Sequence, residues 1–163
     1  MPNLLGALHE HTGRGRDAGV NVTTQIKDIR QIGAIPILTV APDRVEVVLV
    51  TTRGSGRWTI PKGNRMAGLP DYRAAETEAL EEAGLVGVIS EKPLGRYQFW
   101  KRQDAHWALA DVTVFVLSVN EQVETFKEKG QRDIRAFSFE DAAETVYEPG
   151  LSALILKARD SLR

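Results

Sequence analysis

The sequence predicts an α/β domain in which a mixed sheet lies between helices, and three observations predict it. Residues 45–51 form a short, valine-rich apolar run that is typical of a buried strand. A glycine-containing loop leads into a helix rich in Ala and Glu over residues 71–82. Two further strand-like runs are followed by an amphipathic helix over residues 151–159. Strands that precede, separate and follow helices indicate a layered α/β architecture.

The remaining elements follow from composition and turn residues. Residues 26–40 are rich in Ile, Val and Thr and predict a strand in which Pro36 marks a bulge or a sheet edge. Ser138 begins a segment that resembles a capping box and predicts a short helix through Val146. The other predicted strands are 57–60, 85–90, 94–100, 106–119 and 134–137, with residues 101–104 as the turn of a hairpin.

Length and composition describe an ordinary globular chain. The 163 residues are 42% apolar, which predicts one domain over residues 23–163 after a flexible tail over residues 1–22. His9 and His11 lie in that tail, and we interpret them as incidental rather than as metal ligands. The N-terminal residues lack the order of a signal peptide, and no apolar run reaches 18 residues, so we expect a cytoplasmic protein that does not bind membranes.

Charge and cysteine content exclude several function classes. The net charge of −1 gives no general attraction to nucleic acid or to anionic membranes. The chain contains no cysteine, which excludes a disulfide, a thiolate nucleophile and a zinc-thiolate site. We therefore expect a small-molecule ligand; the oligomeric state cannot be read from the sequence.

The strongest functional signal is a cationic loop that directly precedes an acidic helix. Residues 53–70 contain four basic residues and no acid, whereas residues 71–82 contain five acids and one base. Glu78, Glu81 and Glu82 have the i, i+3, i+4 spacing that places them on one side of a helix, where they repel one another. A hard cation such as Mg²⁺ or Mn²⁺ would relieve that repulsion and bridge to a polyphosphate. The alternative is a solvated acidic helix face.

The spacing of this segment resembles the Nudix box, G-x5-E-x7-R-E-U-x-E-E-x-G-U, in which U is a bulky apolar residue. Leu69 stands where the first Glu belongs, Thr77 where the Arg belongs, and Ala79 is small for its position. Loss of the Glu or the Arg alone would leave an unpaired charge, whereas loss of both need not. The double change therefore fits a metal site whose ligands are intact and whose surrounding residues have changed. A decayed, inactive member is the alternative. The matching positions are Gly63, Glu78, Glu81, Glu82, Gly84 and Leu85.

The resemblance implies a Nudix α/β/α sandwich that hydrolyses phosphoanhydrides with Mg²⁺ or Mn²⁺. It implies that the Gly63 carbonyl, Glu78, Glu81 and Glu82 bind the metal, and that Glu78 and Glu82 are catalytic. Glu78 is the first choice for the base that deprotonates water, and Glu128 is a loop candidate that we otherwise interpret as a solvated charge.

Within the family, the chain most resembles the diphosphoinositol polyphosphate phosphohydrolase branch. The similarity covers Thr51-Thr52-Arg53, the entry 58–63, the basic hairpin and the segment 129–132. It implies a highly phosphorylated substrate, either a diphosphoinositol polyphosphate or a dinucleoside polyphosphate. An ADP-ribose or nucleoside-diphosphate-sugar pyrophosphatase and a non-catalytic nucleotide sensor remain as alternatives.

Several basic and aromatic residues are candidates for substrate contacts. Arg is suited to paired hydrogen bonds with phosphate, and Lys to a point charge. Trp100 and Trp107 are candidates for stacking on a base, whereas Trp58 has the apolar neighbours of a packing residue. The predicted phosphate contacts are Arg53, Lys62, Arg65, Lys101, Arg102 and His106.

Overall fold

The computed structural model describes residues 28–163. The predicted tail, including His9 and His11, lies outside the described residues. The strands are β1 (Ile29–Ala41), β2 (Arg44–Thr51), β3 (Trp58–Thr59), β4 (Lys62–Asn64), β5 (Leu85–Ile89), β6 (Gly95–Gln103), β7 (His106–Gln122) and β8 (Ile134–Phe137). The helices are α1 (Asp71–Ala83), α2 (Phe139–Thr145) and α3 (Pro149–Ser161).

The strands form one mixed sheet. Its main path runs β3-β2-β1-β7-β5, while β4 pairs with β1, β6 with β7 and β8 with β2. The pairing of β1 with β7 is parallel, and the other pairings are antiparallel. The mixed sheet that the sequence predicted is therefore confirmed.

Helices cover both faces of this sheet. On one face, α2 and α3 bury residues such as Phe139, Leu151 and Ile155 against strand residues that include Leu49 and Val112. On the other face, α1 buries a stripe of alanines against the sheet, so the helix can approach closely. Ala79 belongs to that stripe, which explains why a small residue stands at this position. The molecule is an α/β/α sandwich, as predicted.

The prediction for Pro36 was wrong. Strand β1 is central, with β7 on one side and with β4 and β2 on the other, and Pro36 is fully buried. Strand β1 pairs with β4 over Gln31–Gly33 and with β2 from Ile37 onwards, so Pro36 lies where the neighbour changes. A residue without an N–H is tolerated there because no ladder hydrogen bond is required of it.

Local signals at the helix ends were largely correct. Gly84 ends α1 in the left-handed conformation with φ 69°, which glycine adopts at low cost. Ser138 Oγ accepts a hydrogen bond of 3.0 Å from the backbone N–H of Asp141 and so caps α2. The last helix was predicted to begin at residue 151, but α3 begins at Pro149, which occupies its first turn. Proline fits there because its missing N–H would have no helical partner.

The β6–β7 hairpin extends further than the sequence indicated. Residues 101–104 were predicted as its turn, yet β6 continues to Gln103, which pairs with His106. No helix in the described residues is both long and apolar enough to cross a membrane.

Candidate metal and phosphate site

A cavity of about 810 Å³ opens between strand β4 and the C-terminal half of helix α1. Its walls come from the loop after β2, the β3–β4 segment, α1, the β6–β7 hairpin and the segment before β8. The α1 wall contributes only acidic side chains, whereas all the basic side chains lie on the other walls, together with Glu128 and Glu148. The sequence-predicted residues that line this cavity are Arg53, Lys62, Gly63, Glu78, Glu81, Glu82, Lys101 and Arg102.

Strand β4 and helix α1 are held together at the predicted metal ligands. The backbone N–H of Lys62 donates a 3.2 Å hydrogen bond to Glu82 Oε2. A Cβ added at Gly63 would collide with the Glu78 carboxylate. Any side chain at position 63 would therefore displace the Glu78 carboxylate, which lies directly against the Gly63 backbone.

Burial changes the acidity of two of the three carboxyl groups. Burial raises the pKa of Glu82 to about 7, against the attraction of Arg132, and the neighbouring Glu78 adds to the rise. The pKa of Glu78 is also raised, first by burial and then by the negative charges of Glu81 and Glu128. A cluster of carboxylates that is difficult to ionise without a cation is a good receptor for one.

The donor set fits a hard divalent metal, although the described residues do not contain three acidic or histidine groups already gathered around one point. Two of the carboxylates are turned towards protein cations. Glu81 Oε2 lies 3.6 Å from Lys127 Nζ, and Glu82 Oε1 lies 3.2 Å from Arg132 Nη2. The carboxylates of Glu78, Glu81 and Glu82 are oxygen donors of the kind that Mg²⁺ and Mn²⁺ prefer.

Arg132 is the main residue that sequence reasoning missed. Its guanidinium lies between two acids, with Nη2 3.2 Å from Glu82 Oε1 and Nε 3.2 Å from Glu128 Oε2. A third donor, Nη1, bonds to the Thr51 carbonyl at 3.0 Å. The side chain is only 10% exposed, so this planar fork holds its partners in a fixed arrangement.

The interpretation of Glu128 as a solvated charge was wrong. Its side chain is 14% exposed and lies between Arg53, at 3.2 Å, and Arg132. Its backbone N–H also donates to the Glu81 carbonyl at 2.9 Å, which ties the loop to α1. The i, i+4 spacing of Glu128 and Arg132 was a weak sequence signal for this pair.

The two box positions that lack the usual charged residue lie away from these contacts. Leu69 is exposed in the turn before α1, and the Thr77 hydroxyl donates to the Arg73 carbonyl of its own helix. The guanidinium that contacts Glu82 is instead supplied by Arg132, from the segment before β8.

The predicted phosphate contacts divide into two groups. Lys62 Nζ lies 4.5 Å from the centre of the Phe99 ring, and burial lowers the pKa of this lysine while Glu82 opposes the change. Arg53, Lys101 and Arg102 also line the cavity. Glu148, at the start of α3, is a further lining residue that the sequence did not indicate.

Arg65 and His106 do not line this cavity. Arg65 Nε lies 2.9 Å from Asp71 Oδ1, and both residues line a separate, smaller hollow. His106 is at the hairpin end opposite Gln103. Lys62 and Arg65 are three residues apart in an extended segment, so their side chains are directed to opposite sides.

Comparison with known proteins identifies the family of this chain. The NUDIX domain model matches residues 30–156, which includes the loop, α1 and all eight strands except the first residue of β1. The chain belongs to the Nudix family. This Nudix chain is 29% identical over 106 residues to Nudix hydrolase 12, mitochondrial, of Arabidopsis thaliana, covering 63% of the chain and 52% of the relative. It is 29% identical over 121 residues to Nudix hydrolase 13, mitochondrial, of the same plant, covering 69% and 59% respectively.

Solved structures share the fold of this Nudix chain at low sequence identity. An Ap4A hydrolase of C. elegans, in a binary complex, superposes with a TM-score of 0.62 at 19% identity, covering 82% of the chain and 97% of that structure. The NUDIX domain of Shewanella oneidensis NrtR, complexed with ADP ribose, gives a TM-score of 0.57 at 14% identity, covering 90% and 99%. The chain spans little more than half the length of the curated relatives above, and the structural likeness concerns the fold.

Proposed function

We propose that this Nudix protein is a metal-dependent pyrophosphohydrolase that cleaves a phosphoanhydride bond in a polyphosphorylated small molecule. The observation that carries the proposal is the cavity itself, in which Glu78, Glu81 and Glu82 face a wall that contains Lys62 and Arg53. An acidic wall suits a cation and a basic wall suits phosphates, so one substrate can engage both. A dinucleoside polyphosphate or a diphosphoinositol polyphosphate has the required charge.

The residues divide the work according to their chemistry. The Gly63 carbonyl, Glu78, Glu81 and Glu82 would hold Mg²⁺ or Mn²⁺, which neutralises phosphate charge and makes water more acidic when bound. Lys62 and Arg53 orient the phosphates, with Lys101 and Arg102 along the hairpin. Glu78 is the first candidate for the base that accepts the proton of the attacking water, since its raised pKa favours proton uptake. Glu128 is the loop alternative.

Two other functions are supported by particular observations. The NrtR domain with bound ADP ribose shares the fold, which favours an ADP-ribose or nucleoside-diphosphate-sugar pyrophosphatase as the second candidate. Leu69 and Thr77, at positions where the Nudix box has Glu and Arg, favour a sensor that binds a nucleotide without cleaving it. Chromatography of the products from diadenosine tetraphosphate, a diphosphoinositol polyphosphate and ADP-ribose, each incubated with Mg²⁺, separates the three.

Hydrolysis is expected to require Mg²⁺ or Mn²⁺, because the carboxylates of α1 cannot otherwise face a polyanion. Exhaustive chelation should reduce substrate cleavage to the background rate, and restoring either metal should recover it. Full turnover in the chelated protein would contradict the role assigned to the three glutamates. Binding without turnover at saturating metal would instead favour the sensor.

Replacing Lys62 with methionine tests whether the basic wall binds phosphates. Methionine keeps the apolar stem over Phe99, and the backbone N–H of residue 62 still donates to Glu82. We expect KM for diadenosine tetraphosphate to rise at least about tenfold, the scale of one charged hydrogen bond. KM for ADP-ribose should rise less, since only two phosphates are present.

The matched control is Lys92→Met, which removes an exposed lysine outside the cavity. Raising the salt concentration should weaken binding of the tetraphosphate to the unmodified protein, because contacts of this kind are screened over about 8–10 Å. Equal loss for both substrates, or a preference for ADP-ribose, would remove the polyphosphate assignment and leave the broader pyrophosphohydrolase.

A further inference from the structure

Two large aromatic side chains lie exposed at the mouth of the cavity. Trp100 on β6 is 59% exposed and Trp107 on β7 is 57% exposed, and both line the cavity. Tryptophan is usually well buried, and leaving two indoles in water forgoes a large hydrophobic gain. Exposed aromatic surface beside a ligand cavity indicates a contact that forms when the ligand binds.

The hairpin places both indoles on the same face. Trp107 pairs directly with Arg102, and Trp100 lies two residues before Arg102 on β6. Side chains alternate along a strand, so all three share one side of the hairpin. Trp100 and Trp107 are diagonal neighbours across the strands, within the reach of aromatic side chains. The Arg102 guanidinium lies 5.9 Å from the centre of the Trp107 ring.

We propose that Trp100 and Trp107 form a stacking platform for a nucleobase of the substrate. The inference rests on the proposed function and names its substrate class as a nucleotide, with a dinucleoside polyphosphate favoured over a diphosphoinositol polyphosphate. The phosphates lie between Lys62 and the α1 glutamates, and the base extends to the hairpin. Arg102 shares the face of the two indoles and lines the same cavity, so it would contact the phosphate nearest the nucleoside.

The chemistry of the platform selects the base. An indole offers a flat apolar face, and every nucleobase has a matching face, so stacking needs no particular hydrogen-bond pattern. An inositol ring carries only hydroxyl or phosphate substituents and has no flat aromatic face, so it would leave both indoles exposed. The cation beside the platform also explains why an apolar partner protein is a poorer occupant, since its surface would have to cover Arg102.

Calorimetric titration with Ca²⁺ in place of Mg²⁺ tests the platform apart from turnover, because a hard cation lets the phosphates approach the α1 glutamates while Ca²⁺ lacks the strict geometry of Mg²⁺. The full chain and its Trp100→Ala and Trp107→Ala variants are titrated with ATP and with inorganic tripolyphosphate, which has the same phosphates and no base. Each alanine variant should weaken ATP binding by about fivefold to about 150-fold, the range for loss of one base stack. Tripolyphosphate affinity should change less than about twofold. Phenylalanine at either position should retain most of the ATP affinity.

Gln103→Ala is the matched control, because this residue is at the end of the same hairpin and outside the cavity. Equal weakening of ATP and tripolyphosphate would overturn the platform, as would unchanged ATP affinity in both alanine variants. A change of oligomeric state in the variants with ATP affinity intact would show that a second copy covers the indoles, which also overturns it. Base-dependent binding by a protein that cleaves no phosphoanhydride with Mg²⁺ would contradict the proposed hydrolase and leave the platform intact.

Discussion

Replacing Glu82 with glutamine is expected to lower kcat at least about 100-fold, the scale for loss of a metal-binding or acid–base group. Glutamine has the same shape, and its side-chain oxygen can still accept the N–H of residue 62. The lost element is the negative charge beside Arg132 and Glu78. Substrate binding should suffer less than turnover, because the basic wall is unchanged. Single-turnover kinetics together with KM separate the two effects.

Glu76→Gln is the matched control for this change. Glu76 is on the same helix, but its carboxylate pairs with Arg73 at 3.0 Å and lies outside the cavity. The control should keep near-normal turnover, and Glu78→Gln should behave like Glu82→Gln. Both cavity variants must also keep the thermal stability of the parent chain if the effect is chemical. Near-normal turnover in Glu78→Gln and Glu82→Gln would remove the helix carboxylates from the mechanism.

Replacing Arg132 with methionine is expected to reduce both stability and kcat. Glu82 and Glu128 would each lose a charged partner while only 6% and 14% exposed, and breaking such a buried pair costs on the order of 3 kcal/mol. The segment before β8 would also lose its bond to the Thr51 carbonyl. A displacement of about 1 Å in a catalytic group can cost about 100-fold in rate. Denaturant unfolding and steady-state kinetics measure the two losses.

Two further variants distinguish positioning from a simple loss of charge. Arg132→Lys keeps the charge but not the planar fork, so kcat should stay low with KM little changed. Adding Glu128→Gln to Arg132→Met removes a stranded charge and should recover part of the stability but not the turnover. Arg96→Met is the control, since it breaks a surface pair with Asp111 that is 3.0 Å long. Normal kcat in Arg132→Lys would show that the charge of residue 132 alone suffices.

Local signals predicted most of the framework correctly. The spacing of Glu78, Glu81 and Glu82 depends only on helical periodicity, and Gly84 and Ser138 act on the backbone within a few residues of themselves. The strand pattern was equally local, although the sheet position of Pro36 was not. Whether a strand is central or at an edge depends on partners that are distant in sequence, and the composition of residues 26–40 does not record them.

Contacts with distant partners were the ones that sequence reasoning missed. Arg132 contacts Glu82 because β8 pairs with β2, and this pairing brings residues 128–132 close to the C-terminal end of α1. The N–H of Asp133 bonds to Thr51 Oγ1 at 2.9 Å and fixes that approach. Conversely, Arg65 is close to Lys62 in sequence and has the positive charge of a phosphate contact, but it pairs with Asp71 outside the cavity. Charge and proximity in sequence do not determine the direction in which a side chain points.

By itself the sequence determined the Nudix framework, the acidic face of α1 and the position of Gly63, whose backbone the Glu78 carboxylate contacts. These depend on periodicity, spacing and backbone freedom, which act over short stretches of chain. The tertiary structure alone decided which cations face those carboxylates and which are directed elsewhere. It also decided that Trp100 and Trp107 lie at the mouth of the same cavity. Such choices depend on strand pairing between distant segments, because only the assembled sheet fixes where each side chain is directed.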